Sequence, residues 1–297
     1  MTDILDVNTS GIVTARDGFV TDVAEEDLLH RVSELRSAVL SDDAIRAKYF
    51  PGKGSPKYAP GDSRGWKLPE ARRKVRADAQ WEERVEPCLY RPFDVRSLYY
   101  VPWMVDWPRS EVMGHMLAGR NLGLATTRSV EIGRGYEHVF CTNTLIQHHT
   151  VSIKEVNYLF PLYSYPAINE QEVVQQSLLV EQTHTGPSGR HHNLKLDLIA
   201  DLEGRLTLSF VPDGTGGLFT TFGPEDVFHY VYAILYSPTY RSRYADSLRS
   251  DFPRIPFTSD VDLFRVLADK GSQLVALHLL ESPVLDTPMT RYPVPGV

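Results

Sequence analysis

Residues 89–166 read LYRPFDVRSLYYVPWMVDWPRSEVMGHMLAGRNLGLATTRSVEIGRGYEHVFCTNTLIQHHTVSIKEVNYLFPLYSYP. Aromatic rings and regularly spaced arginines alternate here with short apolar runs, and no other part of the chain is as dense in both. Short apolar runs of this kind predict strands joined by turns. Rings and forked guanidinium groups presented by strands and turns are what a surface needs in order to bind a polyanion.

The segments upstream predict a pair of strands and several helices. Residues 9–20 alternate apolar and polar side chains with glycines at the bends, which is typical of a strand, a turn and a second strand. Apolar residues at helical spacing, with caps or acids near the N-termini, indicate helices over 22–40, 41–49 and 69–86. Residues 51–67 are rich in Pro, Gly and Ser and predict a long exposed loop.

Beyond residue 193 the pattern changes from strands to helices. Residues 194–198 and 205–211 alternate in the manner of a strand pair. After Gly223, a proline at the first helical position, two acids in the first turn and a one-sided apolar stripe predict a helix. Amphipathic patterns at 240–248 and 263–280 predict further helices.

These patterns predict an α+β fold, in which a strand-rich recognition region is followed by a C-terminal helical scaffold. The polar, breaker-rich residues 181–193 indicate a loop that divides the chain into two regions, 1–180, which contains a basic loop at 46–76, and 181–297. One continuous domain over 1–297 is the alternative. With 297 residues, of which 42% are apolar and 23% charged, the chain can bury a substantial core in either arrangement.

The net charge of −7 hides a strong asymmetry. Residues 46–76 contain ten basic and two acidic side chains, a local charge of +8, so the rest of the chain carries −15. This uneven distribution of charge suits a protein with one face for phosphate groups, although a solvated basic loop would have the same composition. Arg72 and Arg73 fall near the N-terminus of a predicted helix, where cations oppose the helix dipole, so we expect an external anion to compensate them.

No catalytic motif accompanies these features. The sequence lacks GxxxxGK[ST] for ATP, [ND]PP[YF] for adenine methylation, GxSxG for serine hydrolysis and an Asp followed by (Asp/Glu)-x-Lys for a metal-dependent nuclease. His148-His149 and His191-His192 are adjacent pairs, whose side chains point to opposite sides of a strand, so we expect no metal site. The sequence therefore predicts a protein without a catalytic site of its own.

Nothing in the sequence indicates export or a membrane span. Residues 1–10 lack a basic region followed by an apolar one, and no window approaches 18 uninterrupted apolar residues. Cys88 and Cys141 form no CxxC or other ligand spacing. We therefore expect buried, reduced thiols in a cytoplasmic protein.

Several blocks resemble, in matching order, the C-terminal specificity domain of Type ISP restriction-modification enzymes. These enzymes are single chains that join a nuclease, a helicase-like motor, an adenine methyltransferase and a target-recognition domain. The resemblance covers most of the chain and is weakest around residues 194–211. The similar blocks are GIVTARD (11–17), YRPFDVR (90–96) with Tyr99 and Tyr100, EVMGHMLAGRNLGL (111–124), NYLFPLY (157–163), PEDVFHYVYA (224–233) and DFPRIP (251–256).

The resemblance implies sequence-specific recognition of double-stranded DNA, with no catalysis by this chain. Methylation, translocation and cleavage would come from partner modules, an adenine methyltransferase and a helicase/nuclease, and only these would need S-adenosylmethionine, ATP and Mg²⁺. The alternative is a non-catalytic interaction or scaffold module that docks onto a methyltransferase or helicase without touching bases. The acidic balance outside residues 46–76 favours this alternative.

Arginine, lysine and histidine side chains are the candidates for DNA contact, because guanidinium forks read guanine and cationic groups bind phosphates. Arg16 has an equally good interpretation as the partner of Asp17 or another local acid. Arg91 is interpreted as structural, in an ion pair with Asp94 that fixes a turn. The candidates are Arg16, Lys53, Lys57, Arg64, Lys67, Arg72, Arg73, Arg96, Arg109, Arg128, Arg134, His148 and Lys154.

Overall fold

The computed structural model describes residues 1–52, 54–131, 133–166 and 189–287. The helices in these residues are α1 (Asp17–Val20), α2 (Glu25–Arg36), α3 (Asp42–Tyr49), α4 (Leu68–Ala77), α5 (Ser110–Leu117), α6 (Leu196–Leu206), α7 (Pro224–Tyr236), α8 (Pro238–Arg243), α9 (Ala245–Ser250) and α10 (Val261–His278). Short 3-10 helices cover Trp81–Arg84 and Pro283–Asp286.

The strands are β1 (Thr9–Ser10), β2 (Thr21–Asp22), β3 (Val85–Arg91), β4 (Asp94–Tyr99), β5 (Gly123–Thr127), β6 (Val139–Thr142), β7 (Leu145–Ile146), β8 (Asn157–Pro161), β9 (Tyr163–Ser164), β10 (His191–His192), β11 (Ser209–Phe210) and β12 (Thr221–Phe222). Two four-stranded sheets have the orders β1-β8-β5-β6 and β2-β4-β3-β7. Two further pairs are β9 with β10 and β11 with β12.

The sheet β1-β8-β5-β6 is antiparallel and lies between two hydrophobic cores. Successive side chains of a strand point to opposite faces, and both faces are apolar here. Leu124 and Phe160 pack in one core, whereas their chain neighbours Ala125 and Leu159 pack in the other. Both cores are therefore built on the same strands.

The first core joins this sheet to the C-terminal helices. Helices α7 and α10 pack closely against each other, and Gly271 of α10 lies against the backbone of His229 in α7. Leu5 and Leu194 also pack in this core, so the N-terminal residues contribute to it together with the C-terminal half. The second core is formed by α2, α3, α4 and the sheet β2-β4-β3-β7, with Phe50 among its buried rings.

The predicted α+β class is confirmed, and so are helices at α2, α3, α7 and α10. The expected helix over 69–86 is shorter, because α4 ends at Ala77. The helix expected over 240–248 is divided between α8 and α9. The proposed division at residue 180 lies outside the described residues and stays a prediction.

Three strand predictions were wrong in whole or in part. Residues 194–198 alternate over only five positions, whereas Ile199, Leu202 and Leu206 recur at helical spacing and bury one face of α6. Only Ser209–Phe210 of the second expected strand is extended. Near the N-terminus, Asp17–Val20 forms a helical turn where a second strand was expected.

Cys88 and Cys141 are free and buried, as predicted. Burial raises the pKa of both thiols, that of Cys141 to about 12. Among the helices that the structure describes, none combines the length and apolar character needed to cross a bilayer.

Candidate nucleic-acid interface

Several loops leave the sheet β1-β8-β5-β6 at the same end. Thr127 lies opposite Asn157, Thr126 opposite Val139, and Ser10 opposite Tyr158. The chain after β1 and β5 and the chain before β6 and β8 therefore emerge together. We call residues 128–131, 133–138 and 147–156 the sheet-end loops, and they carry the predicted contacts Arg128, Arg134, His148 and Lys154.

The exposed cations of the sheet-end loops are held by carboxylates. Arg128 pairs with Asp251 through Nε at 3.1 Å, and Lys154 pairs with Glu131 through Nζ at 2.6 Å. Arg134 Nε also lies 3.7 Å from Glu131. All these side chains are about half exposed, and pairs of that kind contribute only about 0–1 kcal/mol to stability. A phosphate could therefore exchange with the carboxylates at small cost.

The hairpin of β3 and β4 holds two guanidinium groups against one ring. The guanidinium carbons of Arg91 and Arg96 lie 4.3 Å and 4.1 Å from the centroid of the Tyr90 ring. Arg96 binds both carboxylate oxygens of Asp94 at 3.0 Å through Nε. The prediction that Arg91 forms an ion pair with Asp94 was therefore wrong. Arg96 is the arginine that binds Asp94.

Hydrogen bonds connect this hairpin to the sheet-end loops. Arg91 Nη1 donates to Gln147 Oε1 at 3.4 Å, and the backbone N–H of His149 donates to the same oxygen at 2.6 Å. Residues 12 and 13 connect the sheet-end loops to the loop before α5. The Ile12 carbonyl oxygen accepts a hydrogen bond from the His148 backbone N–H, and Val13 forms a β-bridge with Trp107. Hairpin, sheet end and the loop before α5 thus form a continuous chain of contacts.

We call the side chains along these contacts the hairpin surface. Trp107 is 54% exposed, and the guanidinium carbon of Arg109 lies 5.1 Å from the centroid of its ring. Arg109 adopts the left-handed conformation, with φ 56°, just before α5. Non-glycine residues in this region are uncommon and recur at binding sites. The hairpin surface comprises Tyr90, Arg91, Arg96, Trp107, Arg109, Gln147, His148 and His149.

Arg16 was wrongly assigned as a DNA contact, because its side chain is buried. Its Nη2 atom binds Asp106 at 2.6 Å and Ser63 at 3.0 Å, and Nη1 binds the Met104 carbonyl at 3.1 Å. The guanidinium also stacks on Trp66, with 4.1 Å between its carbon and the ring centroid. Arg16 is therefore a buried link between the loop that contains Ser63 and Trp66 and the segment before Trp107.

Arg72 was also wrongly assigned, since it is buried between α4 and α2. It pairs with Asp42 and donates to backbone carbonyls at the end of α2 and beyond it. The ring of Trp66, which the sequence placed in an exposed loop, is buried as well. Part of the positive charge of residues 46–76 is therefore used in contacts inside the fold.

Arg46 is largely buried and pairs with Asp62, whereas several other cations of residues 46–76 are on the surface. Lys57 and Lys67 lie over the ring of Tyr58, with 5.5 Å and 4.3 Å from Nζ to its centroid. Lys67 is also 3.8 Å from Asp62. Arg64 and Arg73 are exposed. Lys53 lies outside the described residues.

Sequence reasoning missed Tyr90 and Trp107 as individual parts of the surface. Tyr90 precedes Arg91 in a strand, and Trp107 precedes Pro108 in a loop, so their only signal was the local density of rings and arginines. In the described ranges, no three His, Cys, Asp or Glu side chains are grouped so as to hold a metal ion. The arrangement provides hydrogen-bond donors, cations and flat rings, which are the groups that bind nucleic acids.

The α+β fold thus gathers arginines and rings beside one sheet end. The family model of the Type ISP C-terminal specificity domain matches residues 3–297, and the chain belongs to this family. No curated protein shows a significant match to the chain.

Solved structures share the fold. The chain is similar to the protein in the cryoEM structure of a DrdV-DNA complex, with a TM-score of 0.61 and 24% identity over 93% of this chain and 23% of that one. It is also similar to a nuclease-deletion mutant of the Type ISP restriction-modification enzyme LlaGI in complex with a DNA substrate mimic, with a TM-score of 0.57 and 19% identity over 93% of this chain and 18% of that one. A third is the ATP-dependent Type ISP restriction-modification enzyme LlaBIII bound to DNA, with a TM-score of 0.60 and 17% identity over 93% and 16% of the two chains. The chain spans less than a quarter of the length of each of these proteins.

Proposed function

We propose that this chain recognises a specific sequence in double-stranded DNA, as the target-recognition part of a Type ISP-like restriction-modification system. The observation that carries the proposal is the continuous contact between the hairpin surface and the sheet-end loops, in a chain that matches the specificity-domain family over residues 3–297. The similar solved structures are complexes with DNA or a DNA mimic, which supports the same conclusion.

Two kinds of contact follow from the chemistry of the surface. Arginines can bind guanine O6 and N7 with both arms of the guanidinium group, and an Asn or Gln amide can bind adenine N6 and N7, each for about 1–3 kcal/mol of discrimination. In this proposal, Arg91, Arg96 and Arg128 make contacts of the first kind. Lys57, Lys67 and Arg73 are on the surface of the basic segment and bind phosphates, which fixes position and sets the salt dependence.

The chain has no catalytic role in this proposal. An adenine methyltransferase and a helicase/nuclease, in other domains or other chains, supply methylation, translocation and cleavage. S-adenosylmethionine, ATP and Mg²⁺ bind to those modules and not to this chain, which acts beside DNA in the cytoplasm.

The test is a binding measurement with the purified chain. A pool of duplexes with a randomised segment is bound at two salt concentrations, and the retained duplexes are sequenced. We expect an enriched sequence at both concentrations and weaker binding to all duplexes at the higher one, because released counterions oppose binding. If no sequence is enriched at either salt concentration and binding is lost, the proposal is contradicted. This outcome would favour the module that docks onto a methyltransferase or helicase, because the net negative charge outside residues 46–76 does not suit DNA binding.

A further inference from the structure

Arg109, like Arg91, is an arginine of the hairpin surface without a carboxylate partner among the described residues, but Arg91 donates to the Tyr90 carbonyl and to Gln147. Arg96, Arg128 and Arg134 each have a carboxylate partner, whereas no ion pair within the described ranges involves Arg109. Its guanidinium is partly buried beside Trp107, and its Nε atom is shielded from solvent without a hydrogen-bond partner there. A partly buried cation without a counter-charge is unfavourable, and an anion at this place would relieve it.

Two histidines belong to the same hairpin surface, since the backbone N–H of His148 donates to the Ile12 oxygen and the adjacent Val13 pairs with Trp107. The rings of His148 and His149 are 4.7 Å apart and nearly perpendicular. His149 Nδ1 is buried and has no hydrogen-bond partner among the described residues. Arg109 is close enough to His148 to disfavour its protonation electrostatically. The group therefore combines one fixed positive charge with imidazoles that can become donors at both nitrogens.

Among the described residues, the elements packed around His148 supply no free carboxylate to this group. Residues 11–13 contribute backbone, through the hydrogen bond from His148 N–H to the Ile12 oxygen. In the loop before Arg109, the carboxylate of Asp106 is bound by Arg16 and Ser63. From the hairpin, Arg91 reaches Gln147. The charged and titratable groups that act on His148 are thus Arg109 and His149.

We propose that Arg109, His148 and His149 form a binding site for one phosphate of the DNA backbone, and that phosphate binding there is coupled to protonation of His148. The inference rests on the proposed function and deepens it, because it assigns a particular contact and a dependence on pH. The ligand is a phosphodiester, which carries one negative charge and accepts hydrogen bonds from both the guanidinium and a protonated imidazole.

The direction of the pH effect follows from the charges. Burial, His149 and Arg109 lower the pKa of His148, against a hydrogen bond to the Gly11 backbone that raises it, so the free protein favours the uncharged ring. A bound phosphate stabilises the protonated ring and raises its pKa in the complex. The complex then holds more protons than the free partners, and affinity rises as pH falls from 8 to 6, by at most about tenfold per pH unit for one proton.

The experiment measures the dissociation constant of the intact chain for its enriched duplex between pH 6 and 8, at fixed salt. Wild type and the variants His148→Gln and His30→Gln are compared, since His30 is an exposed histidine on α2 and serves as the control. We expect wild type and His30→Gln to bind several-fold more tightly at pH 6, and His148→Gln to lose most of this change. Arg109→Gln should bind more weakly throughout the range.

A second measurement uses wild type alone, so that it does not depend on the folding of a variant. Calorimetry of DNA binding at pH 7 in two buffers with different ionisation enthalpies reports the number of protons taken up. Proton uptake is expected. Wild-type binding without proton uptake, or an unchanged pH dependence in His148→Gln, would overturn the inference while leaving DNA recognition intact. Absence of any DNA binding would instead refute the proposed function.

Discussion

Arg72 of α4 donates its Nε hydrogen to the carbonyl oxygen of Leu35, in the last turn of α2, at 2.9 Å. Arg76 donates in the same way to the carbonyl of Arg36 at 2.8 Å. The last carbonyls of a helix lack partners within it and form the negative end of its dipole. Arg72 and Arg76 of α4 therefore compensate the end of α2, and the expectation that Arg72 needs an external anion was wrong.

Replacing Arg72 by Ala is expected to destabilise the protein without a specific effect on DNA binding. The change removes the hydrogen bonds to the carbonyls of Leu35, Ser37 and Leu40 and breaks the ion pair with Asp42, which should lower the free energy of unfolding by about 2–4 kcal/mol. Urea denaturation gives the value. Arg73→Ala, on the exposed side of the same helix, is the control and should change stability by less than about 0.5 kcal/mol.

Lys57 and Arg128 are expected to act on DNA binding in different ways. Lys57→Gln should weaken binding to all duplexes equally and reduce the slope of log affinity against log salt by about 0.9, the value for one phosphate contact. Arg128→Gln should relax the preference at one base pair by about 1–3 kcal/mol. Titrations of duplexes with single-base changes at several salt concentrations distinguish the two. Equal losses on every duplex for both variants would refute base reading by the sheet-end loops.

Removing the charge of Glu131 is expected to strengthen DNA binding. Glu131 binds Lys154 and lies close to Arg134, so Glu131→Gln frees two cations for phosphates and removes a repulsive charge. We expect affinity to rise roughly threefold to tenfold at low salt. Glu137→Gln, which removes an exposed acid from the same loops, is the matched control and should have a smaller effect. An unchanged affinity in Glu131→Gln would show that Lys154 and Arg134 stay away from DNA.

Gly271 is expected to be essential for the packing of α10 on α7. A Cβ atom at this position would lie 1.8 Å from the carbonyl oxygen of His229, so the two helices would have to separate. Gly271→Ala should lower the free energy of unfolding by about 3 kcal/mol. Gly204→Ala in α6 is the control, because nothing lies within 4 Å of its Cβ position, and it should stabilise the protein by about 0.5–1 kcal/mol. Thermal unfolding of both variants provides the test.

The sequence predicted the parts of the fold in which local signals agree. Ser41 precedes α3 and accepts a hydrogen bond from Ala44 N–H, as the expected cap requires. Pro224 stands at the start of α7, also as expected. For α6, a short alternation around Leu196 competed with the longer helical spacing of Leu202 and Leu206, and the buried helical face decided the outcome.

The candidate site could be predicted only in part. The density of rings and arginines located the region, but the partner of each cation depends on contacts that are distant in sequence. Arg16 and Asp106 are separated by 90 positions, and Arg72 and Asp42 by 30. A local pattern cannot show which arginine is buried by such a partner, so Arg16 and Arg72 looked the same as the exposed Arg73.

Strands β5 and β8 are covered by packed side chains on both faces, whereas the loops that leave one end of their sheet border water. A mutation within these strands would disturb two cores at once, whereas a mutation of an exposed loop residue such as Arg128 or Arg134 disturbs neither. A lineage of such domains can therefore acquire new preferred DNA sequences over generations by changing its loops, while natural selection keeps the strands beneath them almost constant.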